Sequence, residues 1–362
     1  MTEPQAPEMR RSSRDPAVQR ERFATWLRAK HPDAEVTALE GTSATGMSSD
    51  TLLVEATWAG ESRRLVVRRA PDADDVPVFP TYDLTRQFRI IRAVAEHTDV
   101  PVPVTLWNEP DAEPLGTPFF VMSRVDGIVP PDVMPYDFGD SWLFDASEEQ
   151  QRTLQDATVD VLARLHRMPY QDYLELPDPG ATALRRHVAH TRAWYEFVAA
   201  GGVPSPLIER GFGWLEQHWP AAEPEPVVLW GDARIGNVLY QDFRPVAVLD
   251  WEMAATGPRE LDVAWLVYAH RNFEDIAHVF DLPGMPDFLR REDVLARYVE
   301  QSGYEPRELD FYETYSALQF AIVYLRTGTR QVHFGEREMP ADVDELLYNR
   351  EPLTRMLEGT YF

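Results

Sequence analysis

Asp232, Asn237 and Asp250 lie beside short apolar runs, in Val227-Val-Leu-Trp-Gly-Asp-Ala-Arg-Ile-Gly-Asn-Val-Leu-Tyr240 and Val246-Ala-Val-Leu-Asp-Trp-Glu252. Phosphoryl transfer to a hydroxyl uses such a set. One carboxylate accepts the proton of the attacking hydroxyl, while an amide oxygen and a second carboxylate hold the metal ions that neutralise the phosphates. Val246 to Leu249 predicts a buried strand that delivers Asp250 to its end. Gln241-Asp-Phe-Arg-Pro245 predicts a turn. The hairpin so formed brings Asp250 back beside Asn237.

The segment resembles the aminoglycoside phosphotransferase and choline kinase family. Its members usually carry H-G-D-x-x-x-x-N, an apolar strand, and then D-W/F-E. Gly231-Asp232 and Asp250-Trp251-Glu252 match, followed by Gly257 and Asp262, while Trp230 stands in place of the family His. A lone D-x-x-x-x-N would mean little; the ordered combination carries the resemblance. It implies Asp232 as catalytic base, Asn237 and Asp250 as magnesium ligands, and ATP as phosphoryl donor. The implied fold is α+β, two-lobed and protein-kinase-like. An N-terminal antiparallel sheet lobe would span residues 16–125 and a larger helical C-terminal lobe residues 126–362, after a disordered lead-in over 1–15.

Composition narrows the alternatives. The 362 residues suggest about two domains. No stretch approaches the ~18 apolar residues of a membrane span, and the polar N-terminus reads as a lead-in rather than a signal peptide. The chain has no cysteine, which excludes thiolate chemistry and fits a cytoplasmic protein. A net charge of -25 argues against nucleic acid and favours cationic small molecules, or only solubility. Lys30 is the only lysine, so a Walker A loop is excluded and a phosphate-anchoring cation inside the fold must be Arg. Lys30 lies in a predicted helix over 16–30.

In the first lobe, Thr37 to Trp58 predicts strand, small-residue loop and strand. Gly41 to Gly46, with Ser43 and Thr45, could bring backbone N–H groups to phosphates. Arg63 to Ala70 predicts a third strand. By the resemblance Arg68 would hold the α- and β-phosphates, with Arg69 as the register alternative and a surface arginine as the plain reading. Tyr82 to His97 predicts a helix with Leu84, Phe88, Ile91 and Ala95 on one face. Gln87 stands where the family has the Glu that pairs with the strand-three cation, which reduces that pair at best to an Arg68–Gln87 hydrogen bond. Val100 to Val104 predicts an edge strand. The strand from Pro118 would run into the hinge, where adenine would meet the backbone of Ser123 and Val125, with Met122 as gatekeeper.

In the second lobe, Val129 to Ala146 holds three aromatic stretches and reads as a lid or as a packed connection. Helices are predicted over 148–168, 261–271, 291–301, 309–326 and 342–357, and after the Ser205-Pro206 cap. His166 reads as packing, and the His187/His190 pair lacks a third metal ligand. Glu252, Glu260, Asp262 and Arg234 are acceptor-binding candidates, although structural roles suit the carboxylates as well. The expected activity is ATP- and magnesium-dependent transfer of the γ-phosphate to a small-molecule hydroxyl. Net charge tilts the acceptor toward an aminoglycoside; a hydroxyacyl-CoA is the rival. Trp230 and Gln87 keep a non-catalytic nucleotide-binding module open.

Overall fold

The computed structural model describes residues 15–41, 50–71, 76–177 and 181–362. Two compact units emerge: Met1–Phe88 with Val104–Arg124, and Arg89–Pro103 with Val125–Phe362. Residues 89–103, expected in the first lobe, therefore group with the second unit.

The first unit is a five-stranded antiparallel sheet with one covering helix. Its strands are β1 (Glu35–Gly41), β2 (Asp50–Trp58), β3 (Glu61–Arg69), β4 (Thr105–Glu109) and β5 (Phe119–Ser123), in the order β1-β2-β3-β5-β4. Helix α1 (Pro16–Lys30) starts at Asp15, whose carboxylate accepts from Ala17 N and Val18 N, with Pro16 as its first residue. Phe23, Trp26 and Leu27 of α1 bury against Val54, Leu65, Val67 and Phe119 of the sheet. Lys30 lies over the Trp26 ring. The edge strand expected over Val100–Val104 does not form, because Pro101 and Pro103 have no N–H to give to a ladder; the edge is β4, from Thr105.

Helix α2 (Leu84–His97) runs through the division between the units. Leu84, Gln87, Ile91 and Val94 are its buried line, whereas Ala95, expected on that face, is exposed.

The second unit is mostly helical: α3 (Glu148–Leu165), α4 (Ala183–Ala200), α5 (Pro206–Gln217), α6 (Glu260–Val279), α7 (Arg291–Ser302), α8 (Leu309–His333) and α9 (Arg350–Leu357). Between α5 and α6 lie two small antiparallel pairs, β6 (Val227–Leu229) with β9 (Ala255–Gly257), and β7 (Val238–Gln241) with β8 (Arg244–Val248). The expected cap holds, since Ser205 Oγ accepts from Ile208 N. Helices α6 and α8 pack together, and Leu261 to His270 of α6 is buried on every side. Among the described residues no helix is long and apolar enough to cross a membrane.

The last predicted helix is broken into a 3-10 turn, Val343–Leu346, and α9. Asn349 causes the break. Its buried Nδ2 donates to Tyr268 Oη and Ala317 O, which draws the chain inward at that residue. The aromatic segment 129–146 is a packed connection. Tyr136, Asp137 and Leu143 are buried, Tyr136 Oη meets His270 Nδ1 at 2.8 Å, and a side chain at Gly139 would press on Pro283.

Candidate active site

The loop carrying Asp232 follows β6 and is held by its own backbone. Trp230 N donates to Asp262 Oδ2 at 2.8 Å and Gly231 N to Asp262 Oδ1 at 2.9 Å. Gly231 has φ +90°, and a Cβ there would collide with the Met253 carbonyl, so only glycine fits. A 3-10 turn, Ile235–Asn237, leads into β7. The β7–β8 hairpin turns on Asp242 and Phe243, both with positive φ, the geometry that matches strand twist in a two-residue turn. It pairs Val238 with Val248, and Leu249 N donates to Asn237 O at 2.8 Å. Asp250, with φ +57°, follows directly.

Three donors converge on the Asp232 carboxylate. Oδ1 accepts from Trp265 Nε1 at 2.8 Å and Arg234 Nε at 3.0 Å; Oδ2 accepts from Asn237 Nδ2 at 2.7 Å and Arg234 Nε at 3.2 Å. Arg234 Nη1 pairs in turn with Asp132. Burial alone would lower the Arg234 pKa, but Asp132, Asp232 and Asp250 together raise it and hold the guanidinium charged. Gly236 lies beneath this bridge, where a Cβ would strike the Asp132 carboxylate. A small recess opens next to it, lined by Asp132, Arg234, Tyr136, Ile235, Leu266, Ala269, His270, Phe273 and Leu289. Apart from the ion pair, its walls are largely apolar and aromatic.

The other expected residues fall in several places. Ser43 and Thr45 lie outside the described residues. Alternation along β3 buries Leu65, Val67 and Arg69 on one face and puts Arg68 on the other. Arg69 pairs with Asp50 and Gln19, which removes it as the register alternative. Arg68 Nη1 donates to Thr51 Oγ1 at 3.1 Å, and Gln87 is buried at 4% exposure. Met122 is buried in β5, and Ser123 N is taken by Val104 O.

Two acceptor candidates have internal roles instead. Glu260 Oε1 accepts from Tyr304 Oη at 2.8 Å and Arg307 N at 3.3 Å, deep in the helical unit. Asp262 is the anchor of the loop backbone. Glu252 is half-buried beside Trp251. His166 does more than pack: Nε2 lies 3.1 Å from Asp262 Oδ2, and Nδ1 lies 2.7 Å from Tyr298 Oη. His187 is buried against Tyr315 Oη at 2.7 Å, and burial lowers its pKa to about 4, so it is a neutral packing group.

Asn237 and Asp250 suit magnesium by donor type. Asn237 Nδ2 is committed to the carbonyl and carboxylate of Asp232, leaving Oδ1 as the free acceptor end of the amide. One carboxylate and one amide oxygen are the usual protein share of a magnesium site completed by phosphates and water. Among the described residues no group of three or more His, Asp or Glu is arranged to hold a metal without such help.

A model of the phosphotransferase enzyme family matches residues 44–312. The chain belongs to that family. It is 26% identical over 302 residues to a probable acyl-CoA dehydrogenase of Arabidopsis thaliana, IBR3, covering 79% of this chain and 35% of the relative. Human acyl-CoA dehydrogenase family member 11 is 28% identical over 202 residues, which is 55% of this chain and 24% of that protein. The chain thus spans about a third or less of these relatives. The crystal structure of a putative aminoglycoside phosphotransferase from Ralstonia eutropha superposes with a TM-score of 0.66 at 21% identity, covering 94% of this chain and 97% of that one. The fold is protein-kinase-like.

In this phosphotransferase Trp230 takes over a structural task. Its indole Nε1 donates to Leu249 O at 2.8 Å, tying the Asp232 loop to the residue that precedes Asp250. Asp132 and Trp265 had no sequence signal, and Tyr136 had only a weak one. Asp132 and Trp265 lie 102 and 33 residues from their partners, and Tyr136 was one aromatic among several in its segment. The aromatic richness of 129–146 was the only pointer to Tyr136.

Proposed function

We propose that this phosphotransferase is an ATP- and magnesium-dependent kinase that moves the γ-phosphate onto a hydroxyl of a small molecule. Asp232 accepts the hydroxyl proton as the oxygen attacks, and the bond from γ-phosphorus to the bridging oxygen of ADP breaks. The observation that carries this reading is the Asp232 carboxylate, oriented by Asn237, Arg234 and Trp265 at the end of a loop that continues into the Asp250 hairpin. Magnesium held by Asn237 and Asp250 would supply charge neutralisation to the phosphates. Arg68, on the β3 face opposite Arg69, is the proposed phosphate cation.

The acceptor we favour carries its hydroxyl on an acyl chain, as a hydroxyacyl thioester does. Leu266, Ala269, Phe273 and Leu289 put apolar surface beside Arg234, in a recess with room for about one water, so methylene groups would lie against its mouth rather than inside it. A polycationic aminoglycoside needs several available carboxylates, and Glu260 and Asp262 are committed elsewhere. The relatives lend support, since one is named a probable acyl-CoA dehydrogenase and the other an acyl-CoA dehydrogenase family member. ATP consumption across a panel of hydroxyacyl-CoAs, aminoglycosides, choline and sugars tests the proposal. Turnover with hydroxyacyl-CoA is expected. Turnover with aminoglycosides alone would reassign the acceptor, and no turnover with tight ATP binding would favour a non-catalytic module.

A further inference from the structure

Asn237 and Arg234 belong to the same loop as the carboxylate they contact, whereas Trp265 reaches it from α6. We infer that Trp265 is the positioning residue for the Asp232 carboxylate, its indole N–H fixing the rotation of the base; the inference rests on the kinase reading of Asp232.

Asp262 and Trp265 are three residues apart, so they share one face of α6. Asp262 holds the loop's main chain through Trp230 N and Gly231 N, and Trp265 holds its working side chain through Nε1. Backbone and base are thereby both referenced to a single turn of a buried helix. The indole is set by packing rather than by the bond it makes. Trp265 is 4% exposed, and its ring lies 4.8 Å from Phe320 of α8, which itself packs against Tyr268 at 5.3 Å.

Chemistry separates Trp265 from the other two donors. An indole N–H donates and cannot accept, and it carries no charge. It can orient the carboxylate without competing for the proton that the base takes up. Arg234 has a second acceptor in Asp132, and Asn237 has a second in the Asp232 carbonyl, so both can turn away when ligands arrive. Trp265 donates to Asp232 Oδ1, and the packing of its buried ring on Phe320 holds the indole in that direction.

Trp265→Phe keeps the ring and removes the N–H, which makes it the test. A hydrogen bond to a charged group is worth roughly 10- to 100-fold in an equilibrium, so kcat should fall by about that factor, with the KM for ATP within about twofold of wild type and the melting temperature nearly unchanged. Adding Trp265→Phe to Asp232→Ala should change the residual rate by less than about twofold, since the acceptor oxygen is already gone. A kcat that is unchanged, or a loss confined to KM or melting temperature, overturns the role. A second readout needs no acceptor. The Trp265 indole N–H resonance in a 1H–15N correlation spectrum, assigned by its disappearance in Trp265→Phe, should shift upfield in Asp232→Ala. An unmoved resonance overturns the placement whatever the activity of the wild type. A moved resonance in a protein that phosphorylates nothing defeats the kinase reading, and the positioning role with it.

Discussion

Asp262 accepts the backbone N–H of Gly231 at 2.9 Å from a position that is 1% exposed, so a residue that resembled a substrate carboxylate is instead the post to which the Asp232 loop is tied. The same carboxylate accepts from Trp230 N and lies against His166. Asp262→Ala leaves two backbone donors and an imidazole without an acceptor, each a desolvation cost of about 1–3 kcal/mol. A total loss of about 3–5 kcal/mol is expected by urea denaturation, with kcat falling alongside. A loss under about 1 kcal/mol would show that the loop is held some other way.

Asp137 is fully buried and interacts with the half-buried Glu274. Burial, and then the Glu274 carboxyl, push Asp137 up to about 7, and burial also raises Glu274. An acid with a raised pKa holds its proton better in the folded chain than in the unfolded one. Stability from this source is present at acid pH and declines as pH rises from the ordinary carboxylate range to about 7. Asp137→Asn should therefore match wild type near pH 5 and melt a few degrees higher at pH 8, a gain of roughly 1–2 kcal/mol. A variant less stable at pH 8 than at pH 5, relative to wild type, would reverse the sign and remove the pair as a source of alkaline strain.

Asn237→Ala and Asp250→Ala should both weaken nucleotide binding in the presence of magnesium. Asp250→Ala should cost more, because it removes charge as well as an oxygen donor. Calorimetric titration with ATP, with and without a chelator, checks this. Equal ATP affinity in wild type with and without the metal would contradict the ligand assignment.

Trp230→His restores the family residue and should still do harm. The indole is fully buried and links to Leu249 O. A smaller ring leaves a void and loses that link, at a cost of about 2–4 kcal/mol. Greater activity in this variant would identify Trp230 as an attenuating substitution.

How much was legible in the sequence follows from the range of each interaction. Asp232, Asn237 and Asp250 were readable because loop, turn and strand lie within one hairpin and their spacing is itself the signal. The three first strands and most helices followed from periodicity, and Ser205-Pro206 from capping. The prolines at 101 and 103 could have warned against a strand there, and the inward pull of Asn349 could not. Whether Asp262 faced substrate or backbone, whether His166 touched anything polar, and which aromatic reached Asp232 all depend on helix packing between distant segments. One sequence carries no record of such contacts.

Asp232 is proposed as the base of an ATP-dependent phosphoryl transfer. Phosphorus NMR of wild type and Asp232→Asn, each incubated with ATP, magnesium and the acceptor panel, tests it most directly. Wild type should convert ATP to ADP and a phosphate monoester of the acceptor, and Asp232→Asn should yield at most about a hundredth as much monoester while still binding ATP. Monoester formed by Asp232→Asn at close to the wild-type rate would contradict the account.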